Sequence, residues 1–416
     1  MVVGAMFSTE WISKLSDIPE SVWNECFPEQ EIMRSYALQQ VYEQSNFEGV
    51  LFHYLAIKAP IKAPISELPN RGAKSEQIIA LFPCFFFGVS LTDVAPRSVQ
   101  SVVNRVRRFW PGFLKVKALV CGSPIATCDD LFGIQPNWRE HTTDIVRVAF
   151  NAIEAFSQKA RTNLIVVKEI RERYKVQLLK GLPESFIVAE SPPTCFAYVG
   201  PKDGDDYIKS FRNRYRSNIK GYLNKFNKSD LRWELVSDFS DYAEKMCALY
   251  LNVLEHSAVK FETLTPDFFR VANEVLGDQS SALFCFSGDE IVAMELILQD
   301  KAMHPIYLGM DYRYIKDSGL YFNCLIRLLS EAEQRGSYLV ELGQTSYDAK
   351  SNFGIKMESL FVAIKSNNGL INKLLRSFKS SLFPAYPPLR ERNLFKNNEE
   401  HERQLDQSVL VEREGF

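Results

Sequence analysis

The run VELGQTSYDAKSNFG carries Glu341 to the end of a strand-like stretch and sets Lys350 in the polar loop behind it. A carboxylate at a strand end can act as a general base, directly or through a water. A lysine close by can neutralise a developing oxyanion. Each residue alone also fits a plainer role, a glutamate held by a surface cation and a solvated lysine. A second candidate is HPIYLGMDYRYIKDSGLYFNCLIRLLSEAEQRG, residues 304 to 336, in which a short apolar strand, a charged loop and an amphipathic helix follow one another. A helix N-terminus offers unpaired N–H groups and the positive end of the helix dipole, and so can hold an anion. Asp317, Ser318 and Gly319 stand where such a cradle would lie, and Ser318 fits equally as an N-cap. A third is KSFRNRYRSNIKGYLNKFNK, where basic and aromatic residues interleave. That pattern suits a nucleotide phosphate or an RNA backbone, and also the solvated face of an ordinary helix.

Other chemistries are disfavoured. The chain has no Walker A loop, no G-x-G-x-x-G, no H-E-x-x-H and no G-x-S-x-G. Its five histidines are scattered, with His304 before a proline and His256 at a helix end, so no metal is expected. A net charge of −2 argues against bulk binding to nucleic acid or anionic membrane. The eight cysteines form no C-x-x-C pair and sit mostly in apolar runs, which points to buried thiols in a reducing compartment. No signal peptide and no stretch of about 18 apolar residues is present, so a cytoplasmic protein without a transmembrane segment is expected.

The elements that must position these residues alternate between strands and helices. Strands are expected at GVLFHYLAIK, IIALFPCFFFGVSL, KVKALVCGS, TNLIVVKEI and LRWELVS, with an extended segment at FIVAESPPTCFAYV. A polar loop at 58–77 should join the first two as antiparallel neighbours, and a basic helix is expected around RSVQSVVNRVRRFW. In DDYIKSFRNRYRSNIKGYLNKF the apolar residues Ile208, Phe211, Tyr215, Ile219, Tyr222 and Phe226 recur at three- and four-residue steps, which predicts one helix. Gly288-Asp289 reads as a hairpin turn between two strands, and TPDFF as a helix cap. LINKLLRSFKSSLF is a basic amphipathic helix, expected to dock on the protein as a terminal helix, with contact to a membrane surface as the other reading.

At 416 residues the length suggests two domains, 1–199 and 200–395, with a mobile polar tail over 396–416. Both halves carry the order strand, Gly-containing loop, long helix, strand ending in glutamate. The pairs are LVCGS…IVRVAFNAIEAFSQKARTNLIVVKE and YLGM…LYFNCLIRLLSEAEQRGSYLVELG, consistent with an internal duplication.

Together, DDYIKSFRNRYRSNIKGYLNKF, YLGMDYRYIKDSGLYFNCLIRLLSEAEQRG and LGQTSYDAKSNFGIKM resemble the GNAT acyltransferase superfamily, in its two-domain FemAB-like branch. The resemblance covers roughly residues 200–370 and extends more loosely to the first half. It implies an α/β (α+β) fold of tandem GNAT-like domains, each a twisted mixed sheet flanked by helices. It implies that Tyr307, Leu308, Gly309 and Met310 pair through their backbone with the pantetheine of acetyl-CoA or another acyl-CoA. The pyrophosphate would then rest on Asp317, Ser318, Gly319, Leu320 and Tyr321. Of the family's phosphate signature only Gly319 is present. Direct attack by a substrate amine needs a base, an oxyanion donor and a proton for the leaving thiolate. Glu295 and Glu341 are the base candidates, Tyr307 and Tyr321 the proton donors, and Lys350 the oxyanion partner. The expected function is therefore N-acyl transfer to a small-molecule, peptide or amine acceptor. Two alternatives remain open: a Fem-type transferase using aminoacyl-tRNA, and a catalytically degenerate binding module.

Overall fold

The apolar runs read as strands all enter one sheet. The computed structural model describes residues 6–29, 31–61, 76–90, 115–128, 132–200, 207–257, 262–386, 392–397 and 399. The basic helix expected near 97–110 and most of the tail lie outside these residues, as does the loop between the first two long strands. In chain order the strands are β1 (Ser8–Ile12), β2 (Leu51–Pro60), β3 (Glu76–Ser90), β4 (Lys115–Cys121), β5 (Gly133–Ile134), β6 (Leu164–Arg171) and β7 (Ile187–Tyr198). They continue with β8 (Leu231–Val236), β9 (Ser280–Ser287), β10 (Glu290–Gln299), β11 (Met303–Met310), β12 (Leu339–Gly343) and β13 (Lys356–Ser366). The helices are α1 (Glu20–Cys26), α2 (Tyr36–Gln44), α3 (Thr142–Lys159), α4 (Glu172–Gly181), α5 (Asn213–Phe226) and α6 (Ala243–His256). Then come α7 (Pro266–Leu276), α8 (Ile315–Ser318), α9 (Leu320–Arg335), α10 (Tyr347–Lys350), α11 (Gly369–Ser377) and α12 (Lys379–Leu382).

The sheet order is β1-β2-β3-β4-β6-β13-β7-β12-β11-β10-β9-β8, with β5 paired to β3 off this path. It runs unbroken past residue 199, because the halves trade strands at the centre. β13, from the second half, lies between β6 and β7, and β7, from the first half, reaches β12. β7 carries Pro192 and Pro193 in the middle of the sheet. Proline cannot donate to a ladder, and the β7–β13 register shifts between Glu358 and Leu360, opposite these prolines.

Each half contains a parallel strand–helix–strand unit, β4-α3-β6 and β11-α9-β12, as the repeated sequence order suggests. The two units close differently. β4 and β6 pair along four residues, Ala118 to Cys121 against Leu164 to Val167. β11 and β12 pair only at Met303 and Val340. Among the described residues no strand covers the remaining edge of β11 on that side, and the gap opens the sheet.

The helices take their places for local reasons. Ser35 and Thr265 cap α2 and α7 through their side chains, as TPDFF suggests. Gly288 opens the β9–β10 turn with φ +56°, which an L side chain rarely adopts. The expected 205–226 helix begins only at Asn213. Before it, Phe211 bridges to Phe395, and the backbone N–H of Arg212 donates to Leu394 O at 2.8 Å. Pairing with the distant C-terminal segment holds Arg212 extended and overrides the helical periodicity there. The core lies on both faces of the sheet. One face buries Tyr42, Tyr250, Phe268 and Tyr307 beneath α2, α6 and α7, and the other buries Leu325, Leu329 and Val340 beneath α9.

Candidate active site

Where β11 and β12 part, a cavity of about 710 Å³ passes through the sheet. On the α9 face it is lined by Tyr222, Lys225, Lys316, Gly319, Tyr321 and Phe322, and on the α6 face by Tyr250, Leu254 and Glu262. Successive residues of β11 look to opposite faces. Tyr307 packs toward α6 and α7, and Leu308 toward α9.

The gap is held open by an unusual loop. Gly343, Thr345 and Ser346 all have positive φ, between 53° and 66°, just after β12. For Thr345 and Ser346 this conformation costs on the order of 1–3 kcal/mol each. Lys350 offsets the cost. Its buried ammonium donates to the carbonyls of Leu342 at 2.7 Å, Gly343 at 3.4 Å and Gln344 at 2.8 Å. Burial lowers the lysine pKa, opposed by the charges of nearby Cys195, Cys128 and Glu295. The ammonium expected to meet an oxyanion is thus spent on shaping the loop. Gln344 and Tyr347 donate to the carbonyls of Pro192 and Pro193, tying the same loop to the β7 bulge.

The two base candidates differ sharply. Glu341 is paired with Arg171, whose guanidinium reaches its carboxylate at 3.2 and 3.3 Å. It also lies 3.4 Å from His304, which contacts Asp300 at 3.1 Å on its other nitrogen. Burial alone would lower the His304 pKa, but the two carboxylates raise it to about 10, so it sits as an imidazolium between them. Glu295 is different. It lies on β10 inside the sheet, 6% exposed, and lines the cavity. The only hydrogen bond to its carboxylate among the described residues is from the Cys324 thiol, at 3.7 Å. Burial pushes its pKa up to about 8, against the charge of Lys350 and the thiol bond.

The tyrosines also separate. Tyr307 donates its hydroxyl to Glu262 at 2.7 Å. Tyr321 lines the cavity beside Ser346, and burial raises its pKa to about 12, so it stays a neutral donor at physiological pH.

The strand and loop residues divide in the same way. Leu308 and Met310 line the cavity, whereas Gly309 does not. A Cβ on Gly309 would meet the backbone of Leu249 and Tyr250 at 2.7 Å, so the glycine lets α6 cross β11 closely. At the start of α9, Gly319 takes the left-handed conformation, φ +66°, and lines the cavity. Ser318 turns its hydroxyl back to Tyr314 O, Leu320 is fully buried and Asp317 faces solvent. None of these three side chains lines the cavity. Asn323 pins the turn by donating to the carbonyls of Tyr222, Ser318 and Gly319.

Sequence reasoning missed several contributors. Glu262 stands in no periodic pattern, and its Oε2 is buried with no hydrogen-bond partner among the described residues. Burial raises its pKa, opposed by the Lys168 charge, the Tyr307 hydroxyl and the Ala126 amide. Arg171 and Cys324 look like an ordinary strand-end arginine and a core thiol. A polar Asn323 on the apolar face of a helix was the one visible clue. All eight cysteines are buried and unpaired. Among the described residues no group of three His, Cys, Asp or Glu could hold a metal, and no helix is long and apolar enough to cross a membrane.

No protein-family model and no curated protein matches the chain. Solved structures do. FemX superposes at 9% identity with a TM-score of 0.50, covering 88% of this chain and 100% of FemX. A conserved protein of unknown function from Bacteroides thetaiotaomicron matches at 11% identity and TM-score 0.48, over 86% of this chain and 100% of that one. A tandem GNAT protein from the clavulanic acid biosynthesis pathway matches at 9% identity and TM-score 0.46, over 87% and 99%. At such identities the likeness is one of fold.

Proposed function

Starting from a tandem GNAT-like, FemAB-like fold, we propose that the chain is an N-acyltransferase that passes an acyl group from acyl-CoA to an amine. The observation that carries this is the cavity at the β11–β12 gap, with an uncovered strand edge and the buried Glu295 on the same opening. The edge of β11, unpaired beyond Met303 on the β12 side among the described residues, supports backbone pairing to the pantetheine amides. Lys225, Lys316 and the N-terminus of α9 at Gly319 support the phosphates. On the opposite face, the buried Glu262 carboxylate, whose Oε2 has no geometric hydrogen bond among the described residues, supports an ammonium-bearing acceptor.

In this reading the ammonium loses a proton to Glu295, directly or through a water, and the free amine attacks the thioester carbonyl. A C–N bond forms, the tetrahedral intermediate collapses with loss of the second nitrogen proton, which restores the one the thiolate receives, and the C–S bond breaks. Tyr321 is the better placed of the two tyrosines to protonate the leaving thiolate, because the Tyr307 hydroxyl is already engaged with Glu262. Lys350 acts by holding the 342–344 carbonyls, so the oxyanion falls to backbone N–H groups at the gap.

The test is thiol release from acetyl-CoA and longer acyl-CoAs across a panel of primary amines. Amine-dependent release of free CoA is the expected result. Activity that appears only with charged tRNA, and that ribonuclease removes, would replace acyl-CoA with an aminoacyl-tRNA donor. Absence of turnover with either donor would leave only a binding module.

A further inference from the structure

We propose that α11 and α12 form a docking face for an anionic lipid bilayer. The pair presents its apolar side chains to solvent: Leu370 is 70% exposed, Phe378 56%, Leu382 50% and Leu374 49%, with Ile371 and Tyr386 beside them. In a helix docked on its own protein these residues would point inward. Here the polar residues do so instead. Asn372 donates to Ser185 O at 2.9 Å and accepts from Ser366 N–H at 2.9 Å, and the Arg376 guanidinium donates to Glu184 O at 2.8 Å. Asn368 caps the first turn by accepting from the N–H groups of Leu370 and Ile371. The hydrogen bonds of Asn372 and Arg376 thus fix the helix with its apolar stripe outward.

Charge selects the occupant. From residue 359 to 390 the chain has no Asp or Glu, while Lys373 and Lys379 stand on the same two helices as the stripe. Apolar side chains bordered by long basic ones suit the boundary between headgroups and acyl chains, where lysine stems lie along the apolar layer and the ammonium reaches lipid phosphate. A second copy of this chain would set the same positive charges against each other. The overall charge of −2 makes attraction to an anionic surface a property of this patch and not of the whole protein.

Co-sedimentation of the full chain with vesicles tests the proposal, using phosphatidylcholine alone and phosphatidylcholine mixed with phosphatidylglycerol. The chain should sediment with the mixed vesicles only, and added salt should weaken the binding. Replacing Lys373 or Lys379 by Gln should weaken it roughly fivefold per charge. The double variant Leu374→Glu/Phe378→Glu should abolish it without changing the thermal melt, since both side chains are exposed. Equal recovery with both vesicle types, or none with either, overturns the proposal. So does a concentration-dependent dimer that the double variant dissociates, or binding to an acidic protein that vesicles do not displace.

Discussion

Replacing Glu295 by Gln should lower the turnover number for acyl transfer by at least about a hundredfold, with CoA affinity near wild type. The expectation follows from the one cavity-lining carboxylate of the notable pair that is not held by cations. Glu341 is clamped by Arg171 and His304, whereas Glu295 meets only a thiol among the described residues. Its raised pKa, about 8, gives the pH dependence a sign. The base must be ionised, so wild-type turnover should climb as pH rises through about 8. The variant should lose that limb. Stability moves the opposite way. A carboxyl whose folded-state pKa is raised stabilises fully below its unfolded value of about 4.3, and the contribution fades as pH rises toward the folded value. Glutamine keeps the shape without the charge, so the variant should hold its melting temperature better than wild type in alkaline buffer. Unchanged turnover together with an unchanged pH profile would reduce Glu295 to a packing residue.

The second large effect is on stability. Arg171→Met should cost about 3–5 kcal/mol in urea unfolding, because it removes a buried cation shared by the part-buried carboxylates of Glu341 and Glu358. The Arg171 side chain is 3% exposed and ends β6, yet it binds Glu341 at the gap, Glu358 on β13 and the carbonyl of Cys128. One guanidinium therefore ties both halves of the sheet together beside the cavity. Adding Glu341→Gln to Arg171→Met should recover part of the loss, since the second change removes one of the negative charges that the guanidinium had balanced. A loss below about 1 kcal/mol would mean that solvent reaches the pair and screens it.

Much of the fold was legible because periodicity reports burial. The apolar runs of β2 and β3, the strand of β10 and the amphipathic helix α9 appear where the pattern sets them. So do the turn at Gly288 and the cap at Thr265. The exchange of β7 and β13 across the centre was not legible, since local sequence does not say which strands pair over such separations. The shortened α5 has the same origin, a contact with Phe395 far along the chain.

At the site, the sequence identified residue types but not their commitments. Lys350 and Glu341 are both at the gap, but the first is occupied by three carbonyls and the second by Arg171. Ser318 and Leu320 flank a cavity-lining glycine while pointing away from the cavity themselves. Such commitments depend on tertiary hydrogen bonds, and one-dimensional spacing carries no trace of them. Glu262 was invisible for the same reason. Its meaning comes from its burial, the Tyr307 hydroxyl and the Lys168 charge.

The central claim is that the β11–β12 gap receives the pantetheine arm of CoA, and calorimetric titration of CoA and desulfo-CoA into the chain tests it most directly. The account predicts saturable binding of both ligands, a raised melting temperature on saturation, and loss of binding when Leu308→Trp fills the gap. No heat and no thermal shift with either ligand would contradict it, as would binding that Leu308→Trp leaves intact.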